Sequence, residues 1–161
     1  MLRQLLIDDE QAIFTLRTDA EINKYLDRQL CKTIEDARNF ITTINEKIYN
    51  NASLYWAITL KNKNELVGTI CLYGFSDEHD TCEIGYELLP NYQGKGIMKE
   101  AVEKVIGYAF YTIRVNKIEA FLHRDNLTSV NLLEKLSFIH SNIADAKTPE
   151  LVCYYLTNTG K

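Results

Sequence analysis

With 161 residues, 46% of them hydrophobic and 25% charged, the chain has the make-up of a soluble globular protein, and its length is that of a single domain spanning residues 1–161. A net charge of −4 argues against a basic nucleic-acid surface, and apolar runs far shorter than a bilayer argue against a membrane span. Met1 runs into Leu2-Arg3-Gln4 without a signal-peptide core, so the expected location is cytoplasmic.

A short strand opens the chain, and helical stretches are expected over 9–17 and 20–27. The next helix, over 33–50, carries a capping pattern in Thr33 and Asp36 and an apolar stripe of Ile34, Ala37, Ile41, Ile44 and Ile48. Alternating β-branched and aromatic residues then predict strands over 54–61, 65–75 and 81–89, the first two joined by the polar turn Asn62-Lys63-Asn64. Between the second and third lies an acidic loop with Asp77, Glu78 and Asp80. It is read first as a solvated turn, with steering of a cationic amine as its second reading. Cys31, Cys71, Cys82 and Cys153 form no C-x-x-C pair, and His79, His123 and His140 share no ligand spacing. Small core roles are therefore expected for the thiols, and no metal.

The most informative stretch follows, from Ile84 to Met98. A strand ends at Leu88-Leu89-Pro90, a turn carries Gln93-Gly94-Lys95-Gly96, and a helix begins whose apolar face is Ile97, Met98, Ala101, Val102, Val105, Ile106 and Ala109. Unpaired N–H groups and the positive end of the dipole make such a helix start an anion site, and two glycines let a diphosphate approach the backbone. Leu89 precedes Gly94 where a Walker loop would need glycine, and Lys99 stands where a dinucleotide fingerprint would need its third. A further strand over 117–123 leads through Arg124-Asp125-Asn126 into a helix with Leu127, Val130, Leu133 and Leu136 as its expected buried stripe. Asp125 or Asn126 can cap it. Strands over 138–142 and 151–157 close the chain, with Tyr154 and Tyr155 read either as core residues or as an edge that pairs two copies in a homodimer. Antiparallel strands followed by helical crossovers give an α+β class, a mixed and mostly antiparallel central sheet flanked by helices.

Gln93-Gly94-Lys95-Gly96-Ile97-Met98 resembles the Q/R-x-x-G-x-G/A signature of the GNAT superfamily of acyl-CoA-dependent N-acyltransferases. Asn126 and Ser129, after their strand and opening their helix, are similar to the Asn-x-x-Ser element of its RimJ/RimL-type branch, which acetylates protein N-termini and other primary amines. Leu6-Ile7-Asp8-Asp9 with Ile13 to Arg17, and the hairpin of Trp56-Ala57-Ile58 with Leu66 to Ile70, resemble the same branch, so the likeness runs along nearly the whole chain.

The resemblance implies an acetyl-CoA-dependent N-acetyltransferase acting by direct attack of a primary amine, whether on a small molecule, a polyamine or a peptide N-terminus. It also implies a sheet splayed at its centre, where the pantetheine arm lies. By the same carry-over, backbone N–H groups of Gln93, Gly94, Lys95, Gly96, Ile97 and Met98 hold the pyrophosphate, the strand end from Tyr86 to Leu89, with Leu88 and Leu89 nearest the turn, pairs with pantetheine, and the Leu88 N–H polarises the thioester carbonyl. Asn126 and Ser129 touch the CoA arm, and segments 20–50 and 141–150 form the acceptor cleft. Many members carry a tyrosine acid four residues after the serine, but here that position is Leu133, which leaves Ser129 as the candidate acid. Glu83 and Glu87 share one strand face; Glu87, nearer the motif, is the candidate base, with His123 as a second. The missing tyrosine also motivates an alternative, a non-catalytic acyl-CoA-binding regulatory module, and a donor such as succinyl-CoA is a further one. Two departures stand out: Met98 closes the signature where glycine or alanine is usual, and Ser137 ends the second motif helix where glycine is usual.

Overall fold

The computed structural model describes residues 1–61, 63–142 and 148–159. After β1 (Leu2–Arg3) come α1 (Glu10–Thr18), the single turn α2 (Ala20–Asn23) and α3 (Ile34–Tyr49). Three antiparallel strands follow, β2 (Leu54–Leu60), β3 (Lys63–Tyr73) and β4 (Thr81–Leu88), then α4 (Ile97–Tyr108), β5 (Lys117–His123), α5 (Leu127–Lys135), β6 (Ile139–His140) and β7 (Leu151–Thr157). The strands form one seven-stranded sheet in the order β1-β2-β3-β4-β5-β7-β6, the mixed sheet with flanking helices expected from the sequence.

Helices cover both faces. On one, Ile13 and Leu16 of α1 and Ala37, Ile41 and Ile44 of α3 pack on Ala57 and Leu66. The capping pattern of α3 is present: the Asp36 N–H donates to Thr33 Oγ1 at 3.2 Å, and the Thr33 and Lys32 N–H groups donate to the Asp36 carboxylate at 2.8 Å. Those backbone bonds, Lys32 first, hold the Asp36 carboxyl below its usual range. On the other face, Met98, Ala101, Val102 and Val105 of α4 and Leu133 of α5 pack on Ile58, Val67, Ile70, Leu72 and Ile84.

The sheet opens at its centre. β4 and β5 run parallel, but their pairing covers only Thr81 to Glu83 against Lys117 to Glu119. Beyond Glu83, β4 stays with β3 as far as Leu88 opposite Gly68, while β5 stays with β7 as far as His123 opposite Leu151. The two strand ends therefore part, which gives the splayed centre that the resemblance implied. Gly68 is required at this end, because a Cβ there would lie 2.5 Å from the Glu87 carbonyl oxygen.

Several elements differ from the sequence expectation. The helix expected over 20–27 stops at Asn23, whose side chain donates to the Leu16 and Asp19 carbonyls and competes with further helical bonds. Leu127 lies outside the α5 stripe and is 65% exposed, because it is the first helical residue and precedes the turn that faces the sheet. The strand expected over 138–142 shortens to Ile139–His140. Tyr154 is a core residue, and β7 lies between β5 and β6, so neither it nor Tyr155 marks a sheet edge. The four cysteines are free, and among the described residues no helix is long and apolar enough to cross a membrane.

Candidate active site

Two regions meet at the end of β4. The first is the turn ahead of α4. Gly94 and Gly96 have φ of 71° and 78°, and a Cβ at either would meet nothing within 4 Å. Both glycines thus take left-handed conformations that a side chain disfavours, and both border open space. Gly96 is the N-cap of α4 with no side chain capping it, and the first helical bond runs from the Glu100 N–H to the Gly96 carbonyl. The N–H groups of Ile97, Met98 and Lys99 precede that bond and point outward from the helix start. Met98 turns its side chain into the core, so the departure at this position leaves the outer face clear. Lys95 lies over the Tyr92 ring with Nζ 5.6 Å from its centroid.

Gln93 ties this turn to the strand. Its N–H donates to the Pro90 carbonyl at 3.1 Å, and its Nε2 donates to the Leu88 carbonyl at 2.9 Å. The Leu89 N–H donates across the ladder to the Val67 carbonyl at 2.9 Å. Because successive N–H groups alternate in direction along a strand, the Leu88 N–H faces the opposite way, toward the gap between β4 and β5.

Across that gap stands the start of α5. Asn126 is its N-cap and accepts the Ser129 N–H on Oδ1 at 3.2 Å. Ser129 in turn contacts the phenol of Tyr86, a residue that the resemblance implied only through its backbone, in the strand end beside pantetheine. Burial pushes the Tyr86 hydroxyl up to about 12, against the opposing hydrogen-bonding effect of Ser129. Leu133 is fully buried in the core. His123, at the end of β5, stacks on Tyr25 with ring centroids 5.3 Å apart and accepts the Asp125 N–H on Nδ1.

The second region is a cavity of about 470 Å³ beneath α1 and α3, lined on its sheet side by Tyr55, Thr69, Cys71, Gly85 and Glu87. Glu87 lies on the face of β4 opposite to Tyr86, as strand alternation requires. Its Oε2 accepts from Arg28 Nη2 at 2.6 Å, its Oε1 accepts from Thr69 Oγ1 at 3.2 Å, and Thr69 accepts the Tyr55 hydroxyl at 3.0 Å. The Glu87 side chain is 8% exposed, and among the described residues it is the only carboxylate that lines the cavity. Burial, with Glu87 adding to it, pushes the Cys71 thiol up to about 12, so it stays protonated and is a poor nucleophile. Glu83 shares the strand face of Glu87 but lies outside the lining. Burial raises it, the Tyr73 hydrogen bond opposes this, and Glu119 adds to the rise.

The structure thus brings Gln93 to Met98, Leu88, Leu89, Asn126 and Ser129 to the mouth of one gap, with Glu87 on the cavity side of the same strand end. The loop of Asp77, Glu78 and Asp80 does not line the cavity. Ser76 Oγ donates to Asp80 Oδ1 at 2.7 Å, so that acidic residue closes its own turn. Of the implied acceptor segments, 20–50 supplies Leu26, Arg28, Phe40, Ile44 and Lys47 to the lining, whereas residues 143–147 lie outside the described residues. Arg17, Arg28 and Ser53 also line the cavity, and no periodic or spacing signal marks them in the sequence; Tyr86 enters the sequence reading only as backbone of the strand end, not for its phenol. Among the described residues no cluster of His, Cys, Asp or Glu is arranged to hold a metal.

The family described as the acetyltransferase (GNAT) domain matches residues 1–139. An uncharacterised N-acetyltransferase of Bacillus subtilis, YoaA, is 31% identical over 138 residues, covering 86% of this chain and 78% of the relative. Among solved structures, the ribosomal L7/L12 α-N-protein acetyltransferase RimL in complex with coenzyme A superposes with a TM-score of 0.86 at 18% identity, over 99% of this chain and 94% of that one. The spermidine N-acetyltransferase of Vibrio cholerae in complex with CoA and spermine gives 0.83 at 21%, over 98% and 94%. At these identities the two superpositions speak for the fold.

Proposed function

The chain belongs to the GNAT acetyltransferase family and is an N-acetyltransferase; on that premise we propose that it moves the acetyl group of acetyl-CoA to a primary amine by direct attack in a ternary complex. The carrying observation is the pair of left-handed glycines bordering open space at an uncapped helix start, one strand end away from a free-facing N–H. That arrangement fits a diphosphate followed by an extended amide-bearing arm. Acetyl-CoA, when bound, supplies an activated thioester carbonyl. One domain over 1–161 performs the reaction, and the Asn126–Ser129 helix start supports the RimJ/RimL-type branch.

Each residue has a stated part. The N–H groups of Gly94, Lys95, Gly96, Ile97 and Met98 hold the pyrophosphate, with the Lys95 charge beside them. Gln93 holds the turn against β4 through the Leu88 carbonyl. The strand end at Leu88 and Leu89 runs beside the pantetheine, with the Leu88 N–H donating to the thioester oxygen and to the negative charge that develops on it. Asn126 fixes the start of α5 and bonds the arm. Glu87 accepts the proton that the substrate ammonium loses, so that the neutral amine attacks, and Arg28 and Thr69 keep its carboxylate aimed at the cavity. Ser129 donates to the departing sulfur, with the Tyr86 phenol, protonated at neutral pH, behind it. Because neighbouring strand residues face opposite ways, Tyr86 and Glu87 place donor and acceptor on the two sides of one strand end.

Thermal shifts with acetyl-CoA and CoA, against ATP and NAD at matched concentration, test the cradle. Ligand at about one hundred times its Kd stabilises by about 2.7 kcal/mol, so the midpoint rises by several degrees with the two CoA compounds alone. CoA release over an amine panel then tests turnover, with kcat reduced about tenfold or more in Ser129→Ala and Glu87→Gln. Binding without turnover for any amine would favour a regulatory acyl-CoA module instead.

A further inference from the structure

Resting on the acetyltransferase reading, we infer that the acceptor is a small primary amine that also carries an oxyanion, a carboxylate or a phosphate, held in the cavity by Arg17 and Ser53. The charge of the cavity is opposite to that of the chain. Arg17, Arg28 and Lys47 line it against the single carboxylate of Glu87, in a protein whose net charge is −4. Arg28 is already spent on Glu87, so the excess positive charge belongs to Arg17 and Lys47.

Among the described residues, two buried donors there have no partner. Arg17 Nε and Ser53 Oγ are both buried without a hydrogen bond, and Ser53 is only 6% exposed. Leaving such groups unpaired is costly, so their retention points to an acceptor atom that arrives with a ligand. Arg17 is also held in place: its guanidinium carbon lies 4.1 Å from the Phe40 ring centroid, and its Nη2 donates to the Gln29 carbonyl at 3.1 Å. A guanidinium held by a ring and a carbonyl, lining the cavity with its Nε unbonded, matches the oxygens of a carboxylate or phosphate, and it cannot lose its charge. A polyamine would instead bring further positive charge beside Arg17 and Lys47, with one ion-paired carboxylate to receive it. The volume, about 470 Å³, is that of a small-molecule site.

The test compares matched amines by kcat/KM for CoA release: ethanolamine phosphate against ethanolamine, β-alanine against its amide, with spermidine and an alanine-initiated peptide alongside. In at least one pair the anionic member should exceed its neutral partner by about tenfold or more. The phosphate and carboxylate pairs distinguish the two oxyanions. Arg17→Met should bring that ratio below about threefold, and Arg17→Lys should keep part of it. If Arg17→Met fails to fold, the wild-type ratio decides alone. Ratios near one or inverted, a lead for spermidine or the peptide, no acetylation of any compound, or a preference that survives in folded Arg17→Met would each overturn the inference. Acetyl-CoA binding is measured in the same samples. Its presence beside a failed preference sinks only the acceptor class, whereas its absence sinks the acetyltransferase reading itself.

Discussion

The glycine turn ahead of α4 and the cavity beneath α1 and α3 share the end of β4, yet they are built in opposite ways. The turn uses six consecutive residues and presents mainly backbone; its side chains matter chiefly by being absent, as at Gly94 and Gly96, or by pointing inward, as at Met98. The cavity takes side chains from α1, the segment after α2, α3, β2, β3 and β4. Its central ion pair joins residues 59 positions apart. A contiguous backbone site is tolerant of everything except a Cβ or a backbone change, whereas a side-chain site assembled at long range is re-cut by almost any substitution. The first suits a ligand shared by a whole family, and the second an acceptor that differs between members.

Gly96→Val is the sharpest way to break the first half of that contrast. It places a β-branched side chain at φ of 78°, costing about 1–2 kcal/mol of stability, and fills the approach to the helix start. Acetyl-CoA affinity, read by calorimetric titration, should fall by about a hundredfold. The amine preference of whatever turnover remains should be unchanged, since no cavity-lining residue has moved. An affinity within a few-fold of wild type would mean the diphosphate is held elsewhere.

The ion pair tests the second half. Glu87→Leu leaves the Arg28 guanidinium, 21% exposed, without its carboxylate and with only Asn23 Oδ1 and the Leu16 carbonyl as acceptors; it should destabilise by about 2 kcal/mol. The double variant Arg28→Met with Glu87→Leu should recover most of that loss, because removing both charges of a largely buried pair is close to neutral. Turnover should not return with stability. Denaturant midpoints of the two variants and CoA release measure both; a double variant no more stable than the single one would show that the pair is not a unit.

The same division decides what could be read from the sequence. The strands and α3 were legible because their patterns are local: Thr33 and Asp36 cap α3, and Ala37, Ile41 and Ile44 recur at helical spacing. The glycine turn ahead of α4 was legible for the same reason, its residues being consecutive. The splay was legible only through the family resemblance and not from pattern, since it depends on where β4 and β5 stop pairing, a fact of register between strands about thirty residues apart. Nor was the partnership of Tyr86 with Ser129, which crosses from β4 to α5, nor the charge of the cavity, which contradicts the acidity of the chain. The Leu133 position shows the limit most clearly. The sequence registered a missing tyrosine, but only the fold places another phenol, from the neighbouring strand, beside Ser129.

Ser137 gives the smallest expected effect, and it separates helix-end geometry from the site. It has φ of 65° and sits two residues past the end of α5, just after the C-cap Leu136. There its N–H donates to the Glu134 carbonyl, and the Phe138 N–H donates to that of Leu133, both at 3.0 Å. This is the Schellman arrangement, completed by the burial of Phe138 and Leu133 together, and its left-handed position favours glycine. Ser137→Gly relieves about 1 kcal/mol of backbone strain. It also adds freedom to the unfolded chain, which offsets roughly half of that gain. The net should be a stabilisation of about 0.5 kcal/mol and a midpoint raised by about 1–2 °C in a chain of this length. Asn126 and Ser129 stand at the other end of α5 and keep their cap, so acetyl-CoA affinity should not change. A stabilised variant with altered affinity would show that the two ends of α5 are coupled, and the site would then be less local than its six consecutive residues suggest.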